Sequence, residues 1–275
     1  MLRTLLGNHP VTAALKAGTV ASPRLDLRFA DVRLPQHAFK RVVRDLEFDL
    51  AELALVTFLL ARAHGKPYRL LPAVVTARFQ HPYLVYDAQR GACSPKDLEG
   101  RRVGQRSYSV TTATWLRGVL ADDYGVDLSK IRWVTFEEPH VAEFCDPPNV
   151  ERAAAGKDIK AMLLAGELDA AILGEVPAEP RLRPVIADPE AAAKAWRAKN
   201  RAIQINHMVV AKNTVDRGVS DEFYLLLLKS RAAAGDSPLN PFGLEANRRN
   251  LEVAIDCVHR QGMIPRRFSV EELFE

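Results

Sequence analysis

Residues 95–125, PKDLEGRRVGQRSYSVTTATWLRGVLADDYG, constrain the fold of this chain more than any other stretch. The segment DLEG turns the chain, and Arg102-Val103-Gly104 predicts a brief buried strand. Residues 105–112 then gather hydroxyls and amides around a single cation, Arg106. After them Trp115, Leu116, Val119 and Leu120 share one helical face, and Gly125 supplies the stop. Strand, polar loop and helix in that order make half of a parallel α/β unit. Thr111 and Thr112 fall at the helix N-terminus, where free N–H groups and the macrodipole favour an anion. Two readings follow. Arg106, Ser107, Ser109, Thr111 and Thr112 form a carboxylate-binding loop, or a threonine caps its own helix. Capping requires one hydroxyl, and this loop offers several beside a guanidinium.

The rest of the chain repeats the alternation. Residues 2–6 predict a strand, 7–10 (GNHP, with His9) a loop, and 11–16 a short helix ended by Gly18. A strand over 25–32 and a Pro-opened helix over 35–44 follow. The run EFDLAELALVTFLLARAHG (47–65) reads as a short strand passing directly into a buried helix. Within it Asp49 and Glu52 have capping-box spacing, so Glu52 either caps that helix or faces a ligand. Extended segments are expected at 68–79, 83–86, 131–136, 168–173 and 203–211. Helices are expected at 150–164, 223–234 and 244–261, with Pro- and Ala-rich segments over 176–200. Eight or nine strands alternating with helices imply an α/β protein with parallel sheets, better divided into two than kept as one. Turn residues cluster over 87–94, and the chain returns near Asn206. The expected division is 1–88 with 206–275 as one lobe and 89–205 as the other.

A length of 275 residues gives both lobes an adequate core. Against 34 acidic residues stand 38 basic ones, a net charge of +4. The pairs Arg101-Arg102, Arg248-Arg249 and Arg266-Arg267 are scattered, without interleaved aromatics, so no nucleic-acid partner is expected. A few cations facing a small acidic ligand fit the same charge. Cys93, Cys145 and Cys257 are isolated, which favours a reducing compartment over a disulfide framework. The first residues lack an apolar signal core, and no apolar run of 18 residues occurs, so a cytoplasmic protein without membrane contact is expected.

The entry PKDLEGRRVG, the hydroxyl-rich loop before a helix, and GELDAAILG (166–174) resemble the type II periplasmic-binding-protein fold, whose ligand cleft lies between two lobes. A narrower resemblance runs along most of the chain. EFDLAEL, LPAVVTARFQH, VGQRSYSVTTATWLRGVLADDYGVD, INHMVV and the closing NR…QGMIPRRFSVEELF are similar to the 4,5-dihydroxyphthalate decarboxylase family, cytoplasmic enzymes on that fold. Around His81 the chain has Arg-Phe-Gln-His-Pro where the family pattern is Arg-Phe-Arg-His-Ser, which removes one cation.

The resemblance implies decarboxylation of a hydroxylated aromatic carboxylate with no organic cofactor. A hydroxyl para to the carboxylate pushes charge to the carbon that bears it, and an acid protonates that carbon. The protein must then supply an acid, a phenol partner and clamps for carboxylates. His9, His81, His140 and His207 fall at strand ends or in loops, which face the ligand in an α/β sheet. His81 and His207 are the expected catalytic pair, with neither role assigned. Arg78 and Arg106 are expected to hold carboxylates two-pronged, with Ser107, Ser109, Thr111, Thr112, Glu52 and His9 completing the substrate site. Arg117 is expected as a solvated or interlobe cation. Glu137, Glu138, His140 and Glu143 match no specific zinc spacing, so a solvated acidic loop is expected and no metal site. The partner is a small aromatic carboxylate, and a homo-oligomer is compatible with the sequence. Two other activities share the fold: a solute receptor of an ABC importer, and a dehydratase of the menaquinone-pathway type.

Overall fold

A computed structural model describes residues 1–235 and 237–275. In chain order its strands are β1 (Leu2–Leu5), β2 (Leu27–Phe29), β3 (Leu50–Ala54), β4 (Tyr68–Ala77), β5 (Leu84–Asp87), β6 (Arg102–Gln105), β7 (Arg132–Thr135), β8 (Val150–Arg152), β9 (Ala170–Ile172), β10 (Leu182–Pro184) and β11 (Ile205–Lys212). The helices are α1 (Pro10–Lys16), α2 (Phe39–Val43), α3 (Leu55–Ala63), α4 (Thr111–Tyr124), α5 (Ile159–Ala165), α6 (Pro189–Asn200), α7 (Arg217–Ala234) and α8 (Leu244–Arg260). The chain is a mixed α/β protein with two sheets. Its two compact units are Met1–Arg78 with Ile203–Glu275, and Phe79–Ala202. The sequence placed the crossings after 88 and 205. Both come earlier, after Arg78 and Ala202, the first because β5 pairs with β9 and β10, in the second sheet.

In unit 1 the strand order is β2-β1-β3-β11-β4. β1 runs parallel to β2 and β3, and β11 lies antiparallel between β3 and β4. The ends of β1 and β3 and the start of β11 therefore share one edge of the sheet. Leu50, Val209 and Ala211 pack with Leu6, Val11 and Leu15 and with Phe223, Leu226 and Leu227 of α7. The expected direct passage from strand to helix is present, but its boundary is corrected here. β3 continues through Ala54, and α3 begins only at Leu55. An apolar run of this kind carries no period that separates strand from helix; pairing on both sides, to β1 and β11, decides it. The capping box fails with it: Asp49 Oδ2 accepts the Arg3 backbone N–H at 2.8 Å, and Glu52 lies inside the strand.

In unit 2 the order is β10-β5-β9-β6-β7-β8, with β6 parallel to β9 and β7. Three further expectations are corrected. Residues 150–164 are not one helix: β8 adds to β7, and α5 begins after Asp158, whose Oδ1 accepts the Ala161 N–H at 2.8 Å. Neither Thr111 nor Thr112 caps α4. Val110 is the N-cap, and its carbonyl accepts the Thr114 N–H at 3.0 Å. Arg117 is not solvated. It is fully buried, its guanidinium 3.7 Å from the centre of the Tyr108 ring, and Nη1 donates to Gln105 Oε1 at 2.9 Å. A planar cation on an aromatic face with a fixed acceptor tolerates burial that an unpaired charge would not. Among the described residues no helix is long and apolar enough to cross a membrane.

Candidate active site

Glu52 is the centre of a polar cluster within unit 1. It sits near the end of β3, opposite Val209 of β11, while His207 stands opposite Ala54. Residues directly opposed in a ladder project to one face, so Glu52 and His207 are diagonal neighbours on the same face. The Glu52 carboxylate is fully buried, and its Oε1 lies 2.6 Å from His207 Nδ1. The β11–β4 pairing shifts register on both sides of His207, an irregularity of the kind that re-aims a side chain at a sheet edge.

The loop between β1 and α1 reaches the same carboxylate. His9 Nε2 lies 2.8 Å from Glu52 Oε2 and 2.9 Å from Oε1, and the Gly7 backbone N–H donates to Oε2 at 2.8 Å. Only glycine fits at position 7. A Cβ there would stand 2.5 Å from His9 Nε2, 2.8 Å from Pro35 Cγ and 2.9 Å from Glu52 Oε2. Thr12 fixes the loop, since its buried hydroxyl donates to the Gly7 carbonyl at 2.7 Å and accepts the His9 N–H at 3.1 Å. Pro10 opens α1 with its preset φ. On the other side, Phe39 meets the His207 ring edge-on, with centroids 5.1 Å apart.

Burial pushes the Glu52 carboxyl up, but hydrogen bonds from His207 and His9, with their charge, outweigh it and hold the group well below the usual carboxylate range. An ionised carboxylate only accepts, so His207 Nδ1 and His9 Nε2 carry the hydrogens in these contacts. That assignment leaves His207 Nε2 and His9 Nδ1 as the ring nitrogens not engaged with Glu52. Lys16 also faces this charge: burial lowers its ammonium and Glu52 opposes the effect, while Nζ donates to the Leu6 carbonyl at 2.8 Å. A buried carboxylate orienting an imidazole through Nδ1–H is the arrangement that prepares Nε2 for proton transfer. The sequence singled out each of these three side chains, but treated Glu52 and His9 as substrate contacts. It missed Gly7, Thr12 and Phe39. The one available signal was GNHP between a strand and a helix.

Arg78 also belongs to unit 1, where its backbone N–H donates to the Gln204 carbonyl at 3.2 Å. The other expected residues lie in unit 2. His81 is 1% exposed, and neither ring nitrogen has a hydrogen-bond partner among the described residues. Burial lowers it to about 4, with Asp123 opposing, so at neutral pH the ring is uncharged. The Phe79 ring lies 6.4 Å away. Arg106 is partly exposed, and its Nε stands 3.8 Å from Glu137 Oε2. Ser107 and Ser109 are buried, with their hydroxyls 3.5 Å apart. Thr111 and Thr112 occupy the first turn of α4, the former buried and the latter half-buried. His140 is buried, and among the described residues no group of three or more His, Cys, Asp and Glu side chains is arranged to hold a metal ion.

No family model matches the chain. It is 30% identical over 227 residues to 4,5-dihydroxyphthalate decarboxylase from Comamonas testosteroni, covering 78% of this chain and 68% of that protein. It is 30% identical over 208 residues to 4,5-dihydroxyphthalate decarboxylase from Pseudomonas putida, covering 71% and 80%. Among solved structures, the periplasmic aliphatic sulphonate binding protein SsuA from Escherichia coli superposes with a TM-score of 0.58 at 13% identity, over 99% of this chain and 96% of that one. The alkanesulfonate-binding protein SsuA from Xanthomonas axonopodis pv. citri gives 0.55 at 14% identity, over 99% and 96%. The two sheets are thus those of the periplasmic-binding-protein fold, and at such identities the likeness concerns fold alone.

Proposed function

The chain belongs to the 4,5-dihydroxyphthalate decarboxylase family, and from that premise we propose that it removes carbon dioxide from a hydroxylated aromatic carboxylate, with 4,5-dihydroxyphthalate the substrate and 3,4-dihydroxybenzoate the product. The observation that carries this reading is the buried Glu52 carboxylate bonded to His207 Nδ1 at 2.6 Å. Binding a solute needs donors and cations. It does not need a desolvated carboxylate that orients an imidazole and stabilises the imidazolium formed when that ring takes a proton.

In 4,5-dihydroxyphthalate each carboxylate is para to a hydroxyl. His207 Nε2 takes the phenolic proton, and the freed electron pair pushes through the ring to the carbon bearing the carboxylate. That carbon takes a proton and becomes tetrahedral, giving a dienone. The carbon–carboxylate bond then breaks, carbon dioxide leaves, and its bonding pair restores the aromatic ring as a phenolate, which recovers a proton from His207. The sum is one carboxylate plus one proton giving one C–H bond and carbon dioxide. No organic cofactor enters this balance. Arg78 and Arg106 are the guanidinium groups proposed for the substrate carboxylates. A neutral His81 lacks the charge of an imidazolium acid.

The test is product identification. Purified protein incubated with 4,5-dihydroxyphthalate should form 3,4-dihydroxybenzoate in amounts far above the protein present, detected by chromatography against an authentic sample. The second reading is a receptor for a small organic acid on the same fold. It predicts tight binding and unchanged ligand.

A further inference from the structure

We propose that His9 is the acid that protonates the ring carbon, and that Glu52 joins His9 and His207 into one acid–base pair sharing a single positive charge. The inference rests on the decarboxylase reading and assigns to His9 a step that reading leaves open. Three observations support it. Both imidazoles bond the same buried carboxylate, His9 through Nε2 at 2.8 and 2.9 Å and His207 through Nδ1 at 2.6 Å. Neither ring is fully enclosed, their side chains being 23% and 19% exposed, so each keeps a face that a ligand can reach. Gly7 has no side chain where any Cβ would strike both His9 and Glu52, so the backbone is shaped to admit this contact.

One buried carboxylate balances one imidazolium. A second positive charge in the same low-dielectric space would be left without a partner, the more so because Lys16 faces Glu52 as well. In this assignment the single charge rests on His9 and His207 is the neutral ring. His207 Nε2 takes the phenolic proton while His9 Nδ1 gives its proton to the ring carbon. The positive charge passes from His9 to His207, and Glu52 remains paired with one imidazolium throughout. After carbon dioxide leaves, the phenolate takes back the proton on His207, and His9 takes one proton from water. Each turnover consumes that one proton, as the overall reaction requires. The pair thereby moves a proton between a phenolic oxygen and the carbon para to it, which is a tautomerisation that does not depend on the loss of carbon dioxide.

This makes ring exchange the diagnostic. In deuterium oxide the wild-type protein should incorporate deuterium into 3,4-dihydroxybenzoate at the ring carbon para to the 3-hydroxyl, followed by proton NMR. His9→Ala should lose both exchange and turnover by about 100-fold or more, with the dissociation constant for 3,4-dihydroxybenzoate changed less than about threefold. Added imidazole should restore part of the exchange. His9→Asn, with circular dichroism on each variant, separates chemistry from misfolding. Carbon dioxide release that persists in a folded His9→Ala protein would overturn the inference and leave the decarboxylase reading standing. Ring exchange by the wild type without any carbon dioxide release would sustain the inference and overturn that reading. Neither exchange nor release from the wild type would overturn both.

Discussion

Glu52 and His207 stand diagonally across the β3–β11 ladder, and their side chains close to 2.6 Å, with the carboxylate wholly shielded from solvent. Two antiparallel strands set this distance, so it needs no loop movement to form. A site carried on paired strands holds its geometry better than one carried on loops alone.

Replacing Glu52 with Gln keeps the shape and removes the charge. The amide presents one oxygen to donors from His207, His9 and Gly7 that now converge on two. Turnover should fall by about 10²–10⁴-fold, with KM changed far less, because the charge acts mainly when an imidazolium forms. Steady-state kinetics on the folded variant check this. A rise in KM with kcat intact would return Glu52 to a substrate contact.

Gly7→Ala places a methyl group inside van der Waals contact of His9, Pro35 and Glu52. Relief requires the loop to move away from β3. Stability should drop by about 1–3 kcal/mol, the usual cost of overpacking, and turnover should drop with it. Urea denaturation and kcat on the same preparation measure the two effects.

His81 gives a pH signature. Burial lowers the folded ring to about 4, while the unfolded chain takes its proton near the ordinary value of 6.5. Between those values the unfolded state binds more protons, so stability falls as pH falls. The loss on going from pH 7 to below 4 reaches about 3 kcal/mol from this group. His81→Leu should flatten that segment of the stability curve and should not weaken the fold at pH 7, since it removes two buried nitrogens that lack partners among the described residues. Denaturation midpoints at pH 7, 5.5 and 4.5 give the comparison. Parallel curves for wild type and variant would contradict it.

Arg106 is the half-buried cation of the loop before α4, with Glu137 as its ionic neighbour at 3.8 Å. Arg106→Ala should weaken binding of 3,4-dihydroxybenzoate by about 1.5–3 kcal/mol if a charged hydrogen bond to the carboxylate is lost. Isothermal titration on wild type and variant decides. Equal affinities would remove Arg106 from the site.

The α/β class, the two sheets and the strand–loop–helix at 102–124 were legible because alternation, Gly stops and polar loops are local signals. The boundary of β3 with α3 was not, since a strand buried on both faces and a buried helix share the same apolar composition. Arg117 was misplaced because the charge suggested solvent, and nothing local announces the Tyr108 ring and Gln105 carbonyl that receive it. At the site, His9, Glu52 and His207 were each visible as types. Their union was not, because it joins residues 43 and 155 positions apart through the register of β3 with β11. Gly7 is the instructive case: its role lies in the space it leaves empty, and that space exists only after folding.

The most direct test is carbon dioxide release in a single turnover. Wild type and His207→Ala are mixed in excess over labelled 4,5-dihydroxyphthalate, at concentrations where both bind it fully. Wild type should convert all of the bound acid to 3,4-dihydroxybenzoate and carbon dioxide, and His207→Ala should do so at least about 100-fold more slowly. Bound acid returned unchanged by the wild type, or equal rates from both proteins, would contradict the account.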